Sequence, residues 1–180
     1  MRNILIIEEG RQASGEKLLD EIKKIIKCPI GGYDIHIKRD AENNKIREFN
    51  LVSLYSNEKG NIFFKTDDAA GTDKFNIEIF NTKGVEFLQE SLNNGEVLIF
   101  NEIGYLESKA EKFTREVIKA LNSEKVVIAL LKKVNCDYIN YIAARKDVSI
   151  FSVSEDNKIY AKEGIIKLLK EWKIPISHND

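Results

Sequence analysis

Val97-Leu98-Ile99-Phe100-Asn101-Glu102-Ile103-Gly104-Tyr105-Leu106-Glu107 is the stretch on which the fold turns. Consecutive apolar residues with β-branched members suit a strand covered on both faces, as in a parallel sheet. The run stops at a polar pair, Asn101-Glu102. Three more runs share its character: Ile4-Leu5-Ile6-Ile7, Val126-Val127-Ile128-Ala129-Leu130-Leu131 and Val148-Ser149-Ile150-Phe151-Ser152-Val153. Helical spacing lies between and after them. Leu18, Leu19, Ile22, Ile25 and Ile26 form one apolar face, and Val85, Leu88 and Leu92 another. Phe113, Val117, Ile118 and Leu121 form a third, and Ile165, Ile166, Leu168, Leu169 and Trp172 a fourth. Strand and helix in alternation predict an α/β fold in three layers, with right-handed crossovers and a mainly parallel sheet.

Residues 33–64 read differently. Tyr33, Ile35 and Ile37 alternate with polar residues; Phe49, Leu51 and Ile62-Phe63-Phe64 follow. The alternation breaks at Asp40-Ala41-Glu42-Asn43-Asn44 and at Asn57-Glu58-Lys59-Gly60. That pattern predicts an antiparallel hairpin extension with one wet face. Residues 67–74 read as a mobile loop. With no internal repeat and no linker, residues 1–180 are expected to form one domain.

Composition removes several function classes. The 28 basic side chains are balanced by 29 acidic ones, so no overall field draws in nucleic acid or an anionic membrane. Cys28 and Cys136 lack the spacing of a disulfide framework or zinc site. His36 and His178 are too few for a histidine-rich metal centre. The start is too soon acidic for a signal peptide, and no apolar run is long enough to span a bilayer. A cytoplasmic protein is the expectation.

The first apolar run leads into Gly10-Arg11-Gln12-Ala13-Ser14-Gly15-Glu16-Lys17. Its glycine spacing fits the phosphate-binding loop G-x-x-x-x-G-K-[ST]. In that loop, backbone N–H groups and a helix N-terminus hold phosphates, the lysine adds positive charge, and the hydroxyl binds magnesium. Here Glu16 stands at the lysine position and Lys17 at the hydroxyl position. One charge pair at about 4 Å is worth roughly 4 kcal/mol at an effective dielectric near 20, so attraction becomes repulsion. Lys17 is no simple substitute, because one residue along a helix is a rotation of about 100°. The run from Val97 has the shape of a Walker B strand, in which an aspartate holds magnesium and a following glutamate activates water. Asn101 takes the aspartate position; Glu102 remains.

Asn101-Glu102-Ile103-Gly104-Tyr105-Leu106-Glu107 resembles the Asp-Glu-Ile-Gly-x-Met/Leu-Glu signature of a small P-loop nucleoside-triphosphatase family, the thermophile ATP/GTPase and cancer-related nucleoside-triphosphatase type. Residues 32–40 are similar to the family's Gly-Phe-x-x-x-x-x-Arg-Asp hairpin strand, residues 49–63 to its second hairpin, and residues 126–131 and 149–157 to its later strands. The resemblance implies a parallel core with an antiparallel extension, and slow magnesium-dependent hydrolysis of ATP, GTP and related nucleotides. Carried over, Gly10, Arg11, Gln12, Ala13, Ser14, Gly15, Glu16 and Lys17 become the nucleotide-binding candidates. Glu102 becomes the catalytic candidate. Ala13 stands where the family usually has a third glycine. Glu16, Lys17 and Asn101 depart at the charged positions, which points away from hydrolysis and from a bound metal.

The exchanges suggest a substitution within the site. Lys17 is expected to pair with Glu102, helped by Asn101, so that an internal ion pair replaces a metal. Glu16 is expected to pair with Arg11 or lie in water. Lys38, Arg39 and Arg145 could hold an anion or a partner's acidic group, or lie in solvent; Tyr105 could touch a nucleotide or pack; His36 reads as a strand-face residue. Three functions stay open: a catalytically poor binding or regulatory module, an active nucleoside-triphosphatase with an atypical site, and a purely structural subunit. A nucleotide or other small anion is the possible ligand, alongside an unidentified protein partner.

Overall fold

Long apolar runs give the central strands, and each sends alternate residues to opposite faces. The computed structural model describes residues 2–9, 13–39, 41–42, 46–64 and 74–177. Gly10, Arg11, Gln12, residues 67–73 of the expected loop and His178 lie outside the described residues.

In chain order the elements are β1 (Arg2–Glu8), α1 (Ser14–Ile25), β2 (Ile30–Arg39), β3 (Ile46–Ser53), β4 (Lys59–Asn61), β5 (Phe63–Phe64) and β6 (Lys74–Phe75). A π-helical turn, Phe80–Gly84, leads into α2 (Val85–Asn94) and β7 (Val97–Ile103). A short 3-10 turn, Glu107–Lys109, precedes α3 (Glu111–Leu121) and β8 (Val126–Leu131). The chain continues through α4 (Asp137–Ala143), β9 (Val148–Val153) and α5 (Lys158–Glu171).

Seven strands form one sheet in the order β4-β3-β2-β7-β8-β1-β9. From β2 to β9 every neighbouring pair is parallel. Strands β3 and β4 add antiparallel to β2, and β5 pairs with β6 in a separate ribbon. The expected fold class holds, with two differences in detail. First, β2 belongs to both halves. Ile30–Asp34 pairs parallel with Val97–Asn101, while Tyr33–Arg39 pairs antiparallel with β3. Second, the turn after β3 lies at residues 54–56 and not at 57–60. Ser53 Oγ accepts the N–H groups of Tyr55 and Ser56, which fixes the bend early and frees Lys59–Asn61 to pair back.

On one face Leu98, Phe100, Val127 and Leu5 meet Phe87 and Leu88 of α2 and Phe113, Val117 and Leu121 of α3. On the other face Ile99, Ile128, Ile4 and Ile6 meet Leu18, Leu19 and Ile22 of α1 and Ile165 and Leu169 of α5. Burying each such side chain is worth about 1.5–3 kcal/mol, which holds the helices on both sides. The carboxyl ends of β1, β7 and β8 therefore open beside the first turn of α1.

Candidate functional site

The first turn of α1 is pressed onto the sheet. A Cβ on Gly15 would lie 2.8 Å from Leu130 Cδ1 and 3.3 Å from Ile6 Cγ2, so glycine lets the helix start this close. Ala13 precedes it with φ 50 and ψ 34, a left-handed conformation that costs a residue with a Cβ roughly 1–2 kcal/mol. The N–H of Lys17 donates to Ala13 O at 3.1 Å and closes the first turn. The N–H of Ser14 donates to Glu8 Oε1 at 2.6 Å, and Ser14 Oγ donates to Glu155 Oε2 at 2.9 Å.

Asn101 and Glu102 leave the end of β7 in different directions. Asn101 is buried, and its amide donates to Asp34 Oδ1 at 2.6 Å. Asp34 also takes the Lys23 ammonium at 2.7 Å and the Ile35 N–H at 3.0 Å. An amide suits this place because it donates; a carboxylate there would face another carboxylate. Glu102 Oε2 holds the Lys132 ammonium at 2.7 Å, and its backbone carbonyl accepts the Tyr33 hydroxyl at 3.1 Å.

Lys132, rather than the expected Lys17, is thus the partner of Glu102. Register explains it: Ile103 lies opposite Leu131, and the Lys132 N–H donates to Ile103 O at 3.0 Å. Lys17 is exposed and makes no ion pair among the described residues. Glu16 is also exposed, on the cleft side of α1. Partial burial raises its carboxyl above the ordinary value, and the charges of Asp20, Asp34 and Glu102 push the same way. Burial pulls the Lys132 ammonium down, but the hydrogen bond and charge of Glu102, with Glu16 and Glu8, outweigh it and hold it above the ordinary value.

Glu16, Asn101, Glu102 and Lys132 line a cleft of about 480 Å³ together with Ile35, Phe49, Leu106 and Glu107. Glu107 is 3% exposed. Its carboxylate accepts the Gly104 N–H at 3.0 Å, yet burial pushes its pKa up to about 7. Magnesium requires several oxygen ligands in near-octahedral array. Here Glu102 already carries an ammonium, and Asn101 brings a neutral amide, its nitrogen turned to Asp34, where the ion needs an anionic oxygen, so this lining does not fit the ion. Among the described residues no group of three candidate ligands could hold a metal.

Of the other residues considered, Tyr105 stands at the cleft, 52% exposed, with the Lys109 ammonium 4.2 Å from its ring centre. Arg145 is structural: it donates to both carboxylate oxygens of Asp147 and to Leu121 O. Lys38 pairs with Glu48 on the exposed hairpin. His36 Nε2 lies 3.8 Å from Asp34 Oδ2. Sequence reasoning missed Lys132, Asp34, Glu8 and Glu107 as parts of the site. For Lys132 a signal was present: it ends an apolar strand just as Glu102 nearly does. Among the described residues, no helix is long and apolar enough to cross a membrane.

Comparison with known proteins agrees with the fold. The nucleoside-triphosphatase THEP1 of Thermotoga maritima is 30% identical over 169 residues, covering 92% of this chain and 95% of the relative. The protein of that name from Methanocaldococcus jannaschii is 23% identical over 166 residues, covering 91% and 94%. Among solved structures, THEP1 from Aquifex aeolicus superposes with a TM-score of 0.71 at 18% identity, over 93% of this chain and 99% of that one. A human cancer-related nucleoside triphosphatase superposes with a TM-score of 0.68 at 17% identity, over 95% and 98%. These two structures share the fold. The model of the family described as NTPase matches residues 10–166, and on that match the chain belongs to the NTPase family.

Proposed function

We propose that this NTPase-family chain is a binding or regulatory protein whose hydrolysis of nucleoside triphosphates is weak or absent. Its ligand is a nucleotide or another small anion met in the cytoplasm, with no nucleic-acid or membrane partner. One observation carries the reading: Glu16 stands on the first turn of α1, on the same cleft as Glu102, where a triphosphate needs a cation. Lys132, the ammonium on that cleft, is held by Glu102 at 2.7 Å. Hydrolysis in this fold depends on positive charge against the phosphates, through a lysine and a metal ion, as charge develops in transfer. The cleft offers carboxylates instead. The start of α1 is a different matter. Gly15 keeps its close approach to β8 and β1, and the amino end of a helix favours an anion.

An active enzyme with an atypical site is the second reading, favoured by the retained Glu102 and by the name of the relatives. In that case Glu102 activates water, and Lys132 swings from Glu102 to a phosphate.

Calorimetry and phosphate release with ATP and GTP, each with and without magnesium, separate the two. The proposal expects no magnesium-dependent turnover. It also expects Glu16→Lys with Lys17→Thr to bind magnesium nucleotide at least tenfold more tightly than the native chain, since a repulsion worth roughly 4 kcal/mol becomes an attraction. Turnover by the native chain that disappears in Glu102→Gln sinks it.

A further inference from the structure

The amino end of α1 already has an anion, and the chain supplies it. Glu8 is the last residue of β1, and its Oε1 accepts the Ser14 N–H at 2.6 Å. Its other oxygen lies 3.3 Å from the place a Cβ of Gly15 would occupy, so the carboxylate sits against the first two residues of the helix. The first N–H groups of a helix have no partner within it, and together they carry roughly half a positive charge. In a phosphate-binding loop an external anion meets that charge. Ala13, at the cap position, offers no side-chain hydrogen bond to the turn, so the Glu8 contact is not a supplement to an ordinary cap.

Two further contacts engage the neighbouring groups. The Ser14 hydroxyl is turned to Glu155 from the segment after β9, away from the cleft. Glu102 is closed by Lys132. Glu8, Glu16, Glu102, Lys132 and Lys133 all line one depression of about 300 Å³ at the start of α1. The depression thus carries an internal negative group on the helix end and an internal positive group on Glu102.

We propose that Glu8 is an autoinhibitory carboxylate: it occupies the anion position at the amino end of α1, and a phosphate-bearing ligand binds only by displacing it. A tethered competitor acts at a high effective concentration, so the external anion must be correspondingly tight or abundant. The inference rests on the proposed reading of this helix end as the place where an anion is met. It does not depend on whether nucleotide is hydrolysed, nor on Glu16.

Inorganic pyrophosphate, titrated into the full-length protein by calorimetry at low ionic strength, is the probe. Glu8→Ala should bind it at least tenfold more tightly than the native chain. Glu8→Gln, which removes the charge and keeps a hydrogen-bond acceptor, should fall between. The Ser14 amide proton should shift in Glu8→Ala and shift again as pyrophosphate is added. Equal affinity in the native chain and both variants, including no detectable binding by any of them, overturns the proposal. A native Ser14 amide that is insensitive to Glu8→Gln overturns it as well, even where Glu8→Ala folds poorly. Magnesium-dependent hydrolysis by the native chain would remove the proposed function and leave this comparison standing.

Discussion

The two ends of β7 are built on different physics. Near its start, β2 approaches so closely that a Cβ on Gly32 would fall 2.0 Å from Ile99 O, and one on Gly31 would fall 2.6 Å from Ser91 Cβ. The Gly32 N–H is spent on Ser91 Oγ at 2.7 Å. Every contact there is steric or a buried hydrogen bond, and each closes on one arrangement. At the other end Asn101 meets Asp34, and Glu102 meets Lys132 across a half-open cleft. Those contacts run between polar and charged side chains and not between packed backbones. The difference separates the packing that holds the fold from the side-chain pairs that set the chemistry at its mouth.

The largest effect should come from the packed end. Gly32 has φ 102, and no neighbour of its would-be Cβ is the tip of a flexible side chain. Gly32→Ala should therefore cost more than about 4 kcal/mol or prevent folding, read as a collapse of the urea midpoint. A variant of native stability would break the comparison at its stronger side.

Asn101→Asp tests the charged end. It would set a second carboxylate 2.6 Å from Asp34 Oδ1, in a buried place. Two carboxylates so close share one proton, which raises the folded-state pKa of the pair above its unfolded value. The penalty should be about 3 kcal/mol at pH 8, by analogy with breaking a buried charge pair. It should fade as pH falls toward the unfolded carboxyl range, because the protonated pair restores the donated hydrogen bond. Chemical denaturation at pH 8 and pH 5 measures both. This also means that restoring the family's aspartate alone should not restore a metal site.

How much of this was legible follows the same division. The four continuous apolar runs announced the parallel strands because burial on both faces leaves no alternation to confuse. The parallel half of β2 was hidden, since Gly31-Gly32 interrupts any apolar pattern and the alternation from Tyr33 onward describes only its hairpin half. Helix α4 was missed because seven residues bury only Ile139 and Ile142, too few to display a period. Glu102 was found as the end of a strand, but its partner was assigned to Lys17. Only the register of β7 against β8 places Lys132 beside it, and register between distant strands is not written in one sequence. Glu8 was invisible as a helix-end anion for a related reason: only the folded chain brings the end of β1 to the Ser14 N–H.

Glu107 sits between the two regimes, a charged group in a packed place. It keeps its proton up to about pH 7, against 4.5 for an ordinary carboxyl, because burial disfavours the anion. The folded state then binds more protons than the unfolded one between those values, so stability should fall as pH rises through that window and level off above it. The full cost is roughly 3 kcal/mol. Glu107→Gln should remove the slope and gain about 2 kcal/mol at pH 8, less than the full amount because the Gly104 N–H loses an anionic acceptor. Thermal unfolding from pH 5 to pH 8 checks it. An unchanged slope would place the pH dependence elsewhere.

The smallest effect should come from Ala13, where the backbone of the loop is at issue and no charge changes. Its left-handed φ of 50 costs an alanine roughly 1–2 kcal/mol that a glycine would not incur. Glycine loses more chain freedom on folding, about 0.5–1 kcal/mol. The difference leaves Ala13→Gly more stable by about 0–1.5 kcal/mol, a shift of at most a few degrees in thermal midpoint. Affinity for pyrophosphate should not change, because Glu8 still holds the Ser14 N–H and Glu16 still faces the cleft. If the family's third glycine alone brought back anion binding, the loop's conformation and not its charges would be what separates this chain from its relatives, and the contrast between the two ends of β7 would fail.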